Sequence, residues 1–127
     1  MALLLDTHLF YWIVLGSSRL RPEHRLAVAA QREPVFVSAV TGWEIATKVK
    51  LGKWPEAAPL LPDIVEKVRA AGLTVQPLTL EQSECAGGFD VPHKDPFDRL
   101  IAAQALDLDL TLVTVDPAFA LFGCKLL

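Results

Sequence analysis

Residues 2–6 read Ala2-Leu3-Leu4-Leu5-Asp6, four apolar residues in a row and then an acid. The run lacks polar alternation, so it suits a strand buried on both faces, as in a parallel sheet. Three further runs share this character: Val35-Phe36-Val37, Leu73-Thr74-Val75 and Leu110-Thr111-Leu112-Val113. Stretches of helix length lie between them. Residues 8–16 and 22–32 predict two helices divided by Gly16-Ser17-Ser18, with Pro22 suited to a first helical turn. Residues 39–51 predict a third that stops at Gly52. Residues 60–71 predict a fourth, with Leu61, Ile64, Val65 and Val68 at helical spacing and Gly72 at its end. A shorter helix over 80–86 stops at Gly87-Gly88, and 96–107, opened by Asp95-Pro96, places Leu100, Ile101, Ala103, Ala105 and Leu108 for burial. Strands alternating with helices predict an α/β fold with a parallel sheet flanked by helices. With no repeat, linker or low-complexity stretch, a single domain over residues 1–127 is expected.

A chain of 127 residues that is 52% hydrophobic and 21% charged has enough apolar surface for one real core. No apolar stretch reaches the roughly 18 residues of a membrane span. The run at 2–5 meets Asp6 too soon for a signal peptide. A soluble, cytoplasmic protein with no membrane partner is therefore expected. Cys85 and Cys124 lack metal-ligand spacing and are read as reduced and chemically silent. A net charge of -3 argues against coating nucleic acid through charge alone. Two local basic groups, Arg19, Arg21, Arg25 and Arg32, then Lys48, Lys50 and Lys53, suit either basic rims around an acidic pocket or solvated helix faces. Glu44 and Lys48 also have the i,i+4 spacing of an ordinary helix pair. Trp43 and Trp54 are read as packing groups.

Ligands of open α/β sheets bind outside the carboxyl ends of the strands. Four acids map to that edge. Asp6 follows the first strand directly, Asp116 comes after the last of the four with two residues between, and Asp98 lies in the first turn of the helix at 96–107. Glu44 is about one and a half turns into the helix after the second strand, near enough to lean back towards the edge. Each acid has a local reading as well. Asp95 before Pro96 reads as an N-cap with Asp98 at N3, and Asp6 and Asp116 also suit caps. Caps leave out Glu44, set between Trp43 and Ile45, where an unpaired charge would be costly. Unpaired carboxylates about 4 Å apart repel by roughly 4 kcal/mol per pair at an effective dielectric near 20. Together the four call for a cation, and all-oxygen ligation points to Mg²⁺ or Mn²⁺. His8, His24 and His93 are not spaced as ligands; His93, in the irregular loop 87–95, is near enough to contact substrate, although an exposed loop histidine is the commoner case. Such an ion suits phosphodiester hydrolysis, because it activates water and stabilises the departing oxygen.

The stretches LLLDTHLFYW, VSAVTGWEIATKVKLGK, HKDPFDRLIAAQA and TLVTVDPAF, in that order, resemble PIN-domain ribonucleases, specifically the VapC-like toxins of toxin-antitoxin pairs. The resemblance runs from Leu3 to about Phe119. It implies a three-layer α/β/α sandwich with a short, mainly parallel sheet. It also implies a Mg²⁺- or Mn²⁺-dependent endoribonuclease that leaves 5′-phosphate and 3′-hydroxyl ends, with Asp6, Glu44, Asp98 and Asp116 as its catalytic and metal-binding acids. Asp6 and Asp98 would contact the metal directly, Asp116 directly or through water, and Glu44 would orient the attacking water or a second ion. Thr114 is expected to hydrogen-bond a site carboxylate. Arg99, about 100° round the helix from Asp98, need not face the site. The implied partners are an RNA substrate, a cognate antitoxin whose C-terminal segment plugs the acidic site, and a second copy in a homodimer. The helices near 10–30 and 40–65 are candidate contact surfaces, though their apolar residues also suit the core.

Other classes fit less well. A haloacid-dehalogenase-like phosphatase wants a second aspartate where His8 stands, and a receiver-like module finds poor substitutes in Pro77 and Lys125. A PIN-like module that binds RNA or protein without cutting is the remaining alternative.

Overall fold

The computed structural model describes residues 2–127; Met1, the first residue of the expected domain, lies outside them. Strand β1 (Leu3–Leu5) leads into helices α1 (Thr7–Leu15) and α2 (Pro22–Ala30), then β2 (Val35–Ser38) and α3 (Ala39–Lys50). A 3-10 helix (Pro55–Leu60) and α4 (Ile64–Ala70) precede β3 (Thr74–Gln76), α5 (Leu80–Gly88) and α6 (Pro96–Asp107). The chain finishes with β4 (Thr111–Val113), a second 3-10 helix (Pro117–Phe122) and β5 (Lys125–Leu126). The five strands form one parallel sheet in the order β3-β2-β1-β4-β5.

Alternation along each strand divides the apolar residues between two cores. Leu3, Leu5, Val35, Val37 and Val113 face a cluster built with Leu9 and Phe10 of α1, Ile45 of α3 and Val68 of α4. Leu4 and Leu112 face the other cluster, with Ile101, Ala102 and Ala105 of α6 and with Phe119 and Phe122. The result is the α/β/α sandwich that the resemblance implies. Among the described residues, no helix is long and apolar enough to cross a membrane. Cys85 and Cys124 are both unbridged.

The expected elements are present with shifted ends, but the third run is not buried on both faces: β3 lies at the sheet edge with Thr74 and Val75 exposed. Leu108, expected in the core, is exposed beyond the end of α6. The helix expected over 60–71 starts late, at Ile64, because Pro62 lacks an amide hydrogen and restricts the residue before it. Asp63 then caps the helix, accepting from the Glu66 amide at 3.3 Å. Strand β5 was not foreseen. Gly123, at φ 80°, stops the preceding 3-10 helix in a backbone region that favours glycine, and turns the last residues onto β4. Trp43 departs from its expected packing role: its ring meets Phe97 edge-on at 4.7 Å between centroids, yet the residue is 55% exposed.

A buried polar network locks α3 against α6. The Ser38 hydroxyl accepts from the Val40 amide, capping α3, and donates to Oε1 of Gln104 on α6. Gln104 Nε2 donates to the Pro77 carbonyl at 3.0 Å and to Gln82 Oε1 at 3.2 Å, and Gln82 Nε2 donates to Asp107 at 2.9 Å. Gln82 also completes a capping box with Thr79 at the start of α5. Gln104, Ser38 and Gln82 are all buried, so the two side-chain partners that Gln104 holds would be stranded away from water without it. Replacing Gln104 by Leu keeps the volume and removes the polar groups; the expected loss is about 2–3 kcal/mol in urea unfolding, whereas a change below about 0.5 kcal/mol contradicts the network's role.

Candidate active site

The register Leu5↔Val113 makes β1 and β4 leave the sheet side by side. Asp6 is the first residue out. Its amide donates to the Val113 carbonyl at 3.1 Å, and its Oδ1 caps α1 by accepting from the Leu9 amide at 2.9 Å. Oδ2 accepts from the Thr114 hydroxyl at 2.5 Å. Thr114 in turn accepts from the Asp116 amide at 3.0 Å, and Asp116 Oδ1 caps the second 3-10 helix through the Ala118 amide at 2.9 Å. Both chain exits are thus held by one threonine.

On α3, Glu44 is 3% exposed. Its Oε1 accepts from the Thr7 hydroxyl at 2.6 Å and its Oε2 from the Lys48 ammonium at 2.5 Å, while Thr7 and Thr41 hydroxyls share a 3.0 Å bond. The buried charge is therefore paired. Capping does not account for Glu44, but the i,i+4 lysine noted in the sequence does: it offsets the burial, and Thr7 ties α1 to α3 through the same carboxylate. Nothing in the linear pattern marked Thr7 or Thr41, since their roles depend on two helices meeting.

On α6, Asp95 caps the helix, accepting from the amides of Phe97 at 2.9 Å and Asp98 at 3.2 Å. Asp98 Oδ2 bonds His93 Nε2 at 2.8 Å, so His93 is half-buried against an acid instead of free in solvent. Arg99 turns away from Asp98 and donates to the carbonyls of Ala86, Phe89 and His93 at 2.9, 2.7 and 3.0 Å. It pins the loop that carries His93.

Asp6, Glu44, Asp95, Asp98, Asp116 and Lys48 line one cavity of about 230 Å³. Among the described residues, no three His, Cys, Asp or Glu side chains converge into a ready-made metal cluster; the acids stand around the walls. Burial raises the Asp6 carboxyl above its ordinary range, with Thr114, the Leu9 amide and His8 opposing and Glu44 adding to the rise. Asp98 is pushed up to about 6, first by burial; the His93 bond opposes this, and Asp95 and Glu44 add to it. Burial works against the Lys48 charge, but Glu44, then Asp95 and Asp98, outweigh it and hold the ammonium above its usual range. The cavity gathers more negative charge than its lysine balances.

The Asp98 shift has a stability signature in protein stripped of metal. Below about pH 3 both folded and unfolded chains carry mostly the neutral acid. As pH rises towards 6 the unfolded chain ionises first, so the native state holds more protons and stability falls through that window. Asp98→Asn removes the loss. Allowing for the partial exposure of this side chain, the variant is expected to be about 1–2 kcal/mol more stable at pH 7.5. The two proteins should draw together as pH falls and converge at about pH 3 in urea titrations, and a variant no more stable at pH 7.5 overturns this account.

Comparison with known proteins places the fold. A family profile described as the PIN domain matches residues 3–123. Among curated protein sequences none matches the chain. Of solved structures, VapBC2 from Rickettsia felis, bound to a DNA fragment from its promoter, is similar at TM-score 0.68 and 16% identity, covering 100% of this chain and 98% of that one. FitAcB from Neisseria gonorrhoeae is similar at TM-score 0.63 and 20% identity, covering 98% and 95%. VapC20 from Mycobacterium tuberculosis, described as a sarcin-ricin loop cleaving toxin, is similar at TM-score 0.59 and 18% identity, covering 96% and 95%. At these identities the structures speak for the fold, while the profile spans nearly the whole sequence, and on that ground the chain belongs to the PIN-domain family.

Proposed function

We propose that this protein is an endoribonuclease that works with Mg²⁺ or Mn²⁺ and acts as the toxin of a toxin-antitoxin pair. The observation that carries the reading is the meeting of Asp6, Glu44, Asp98 and Asp116 around one cavity at the carboxyl edge of β1 and β4. The donor set fits the ion. All four are hard oxygen donors, the negative charge exceeds what Lys48 balances, and acids spread around a cavity suit an ion held by one or two carboxylates and several waters. Asp6 and Asp98 would hold it, with Asp116 acting directly or through water. When bound, the ion supplies a water of lowered pKa and neutralises charge on the phosphodiester.

The chain's own groups supply position. Thr114 and the Leu9 amide fix the Asp6 carboxylate, and His93 fixes Asp98, so neither has to be ordered when RNA arrives. Glu44, paired with Lys48 through one oxygen, is suited to orient the attacking water. The Lys48 ammonium offers a positive contact for a non-bridging phosphate oxygen. The likeness to VapBC2 and FitAcB supports an antitoxin partner, and a basic side chain from it would find a complementary acidic cavity. A homodimer accords with the same resemblance, and the description of VapC20 supports RNA as substrate.

Purified protein freed of any antitoxin is expected to cut cellular RNA with Mn²⁺ and leave 5′-phosphate ends. Asp6→Asn and Asp98→Asn should each lower cleavage by about a hundredfold or more, equivalent to ~3 kcal/mol of transition-state stabilisation, with circular dichroism unchanged. Mn²⁺ should also raise the Tm of the wild type more than that of either variant. RNA left uncut, together with equal toxicity of wild type and Asp6→Asn in cells, removes the nuclease reading.

A further inference from the structure

A second cavity, of about 450 Å³, adjoins the acidic one, and His8 lines both. Its walls include Tyr11, Trp54, Ser17, Arg19 and Glu56. The volume is in the range of small-molecule pockets. His8 follows Asp6 by two residues, in the first turn of α1. Its imidazole is exposed and stacks on the half-buried Trp54 indole, with centroids 4.6 Å apart and planes 28° from parallel. Tyr11 leans on the same indole at 4.9 Å, and its hydroxyl donates to the Glu56 carbonyl at 3.4 Å, which ties the first 3-10 helix to α1. Trp54 is anchored in turn, packed against the core beneath β1 and β2. The platform is rigid below and open above.

Packing accounts for Trp54 and Tyr11 but not for His8. Among the described residues the imidazole makes ring contacts with Trp12 and Trp54 and an electrostatic interaction with Asp6 but no hydrogen bond, and the residue is exposed, so the ring is open to a ligand. A flat exposed ring, backed by a fixed indole, flanked by an exposed guanidinium and placed at the mouth of an acidic cavity, is what an unpaired nucleobase requires. Stacking tolerates any base, and a nearby cation meets the backbone. We propose that His8 and Trp54 form a nucleobase subsite, on which one unpaired base of a single-stranded RNA stacks beside the phosphate held in the acidic cavity, with Arg19 meeting an adjacent phosphate. The inference rests on the ribonuclease reading and adds to it a site that selects flexible, single-stranded RNA.

Two fluorescein-labelled probes test this in metal-free buffer, where no cleavage occurs: a mixed-sequence RNA hexamer and an abasic ribose-phosphate hexamer. His8→Ala, an exposed substitution, is expected to weaken binding of the base-bearing hexamer about tenfold, as loss of one stacking aromatic does, and to leave the abasic hexamer unchanged. His8→Phe keeps a flat ring without a charge and should restore the affinity. Arg19→Ala should weaken both probes alike. Equal effects of His8→Ala on the two probes, no effect at all, or failure of His8→Phe to rescue would each overturn the subsite. Should His8→Ala release a co-expressed protein encoded beside this chain while RNA binding is untouched, the face belongs to a protein partner and the proposal falls. Wild type that cuts RNA with Mn²⁺ while His8→Ala binds and cuts normally removes only the subsite; wild type that neither binds nor cuts RNA removes both readings.

Discussion

The parallel pairing of β1 with β2 on one side and β4 on the other is the constraint on which the rest of the structure depends. Its three leucines are fully buried, so the strand cannot slip by a residue without exchanging Leu4 for Leu3 and Leu5 between two separate cores. The chain begins in the middle of the sheet, builds outward to β3, and only later returns to place β4 and β5 on the other side. The reversal opens a crevice between β1 and β4 at their carboxyl ends. Asp6 and Asp116 stand there because the backbone has nowhere else to put them.

Bringing carboxylates together costs free energy, and the structure meets that cost with separate local bonds. Asp6, Asp95 and Asp116 each cap the start of a helix, where unpaired amides favour an acceptor. Glu44 is paired with Lys48, and Asp98 is hydrogen-bonded to His93. Capping and site membership are thus not rival explanations. A carboxylate that satisfies an amide through one oxygen keeps lone pairs for a ligand and gains a fixed direction. The remaining strain appears as the raised carboxyls of Asp6 and Asp98, both caused chiefly by burial.

The walls of the crevice are held by polar contacts between elements far apart in the chain. Thr7 reaches Glu44 from α1, and Ser38 reaches Gln104 from the end of β2. Arg99 gathers the loop carbonyls that position His93. These bonds link three helices whose apolar faces alone would permit sliding. Aromatic groups then line the flanks: His8 on Trp54 where α1 meets the chain after α3, and Trp43 on Phe97 where α3 meets α6.

How far the linear order reaches can be judged residue by residue. The apolar runs at 3–5, 35–37 and 111–113 disclosed the parallel sheet because strands buried on both faces carry no polar alternation. The edge occupied by Asp6 and Asp116 followed from strand direction, and Asp95 as a cap from the proline after it. The late start of α4 was readable in Pro62, whereas β5 is two residues long and owes its existence to a neighbouring strand that accepts it. The Glu44–Lys48 pair was visible as a spacing, but not that Thr7 would close its other side. Neither were the His93–Asp98 bond, the Arg99 fan or the exposure of Trp43. Periodicity and capping act over a few residues, so sequence alone determined the elements other than β5 and the edge where the acids lie. Pairing, burial and charge balance depend on segments separated by tens of residues, and only the tertiary structure decided them.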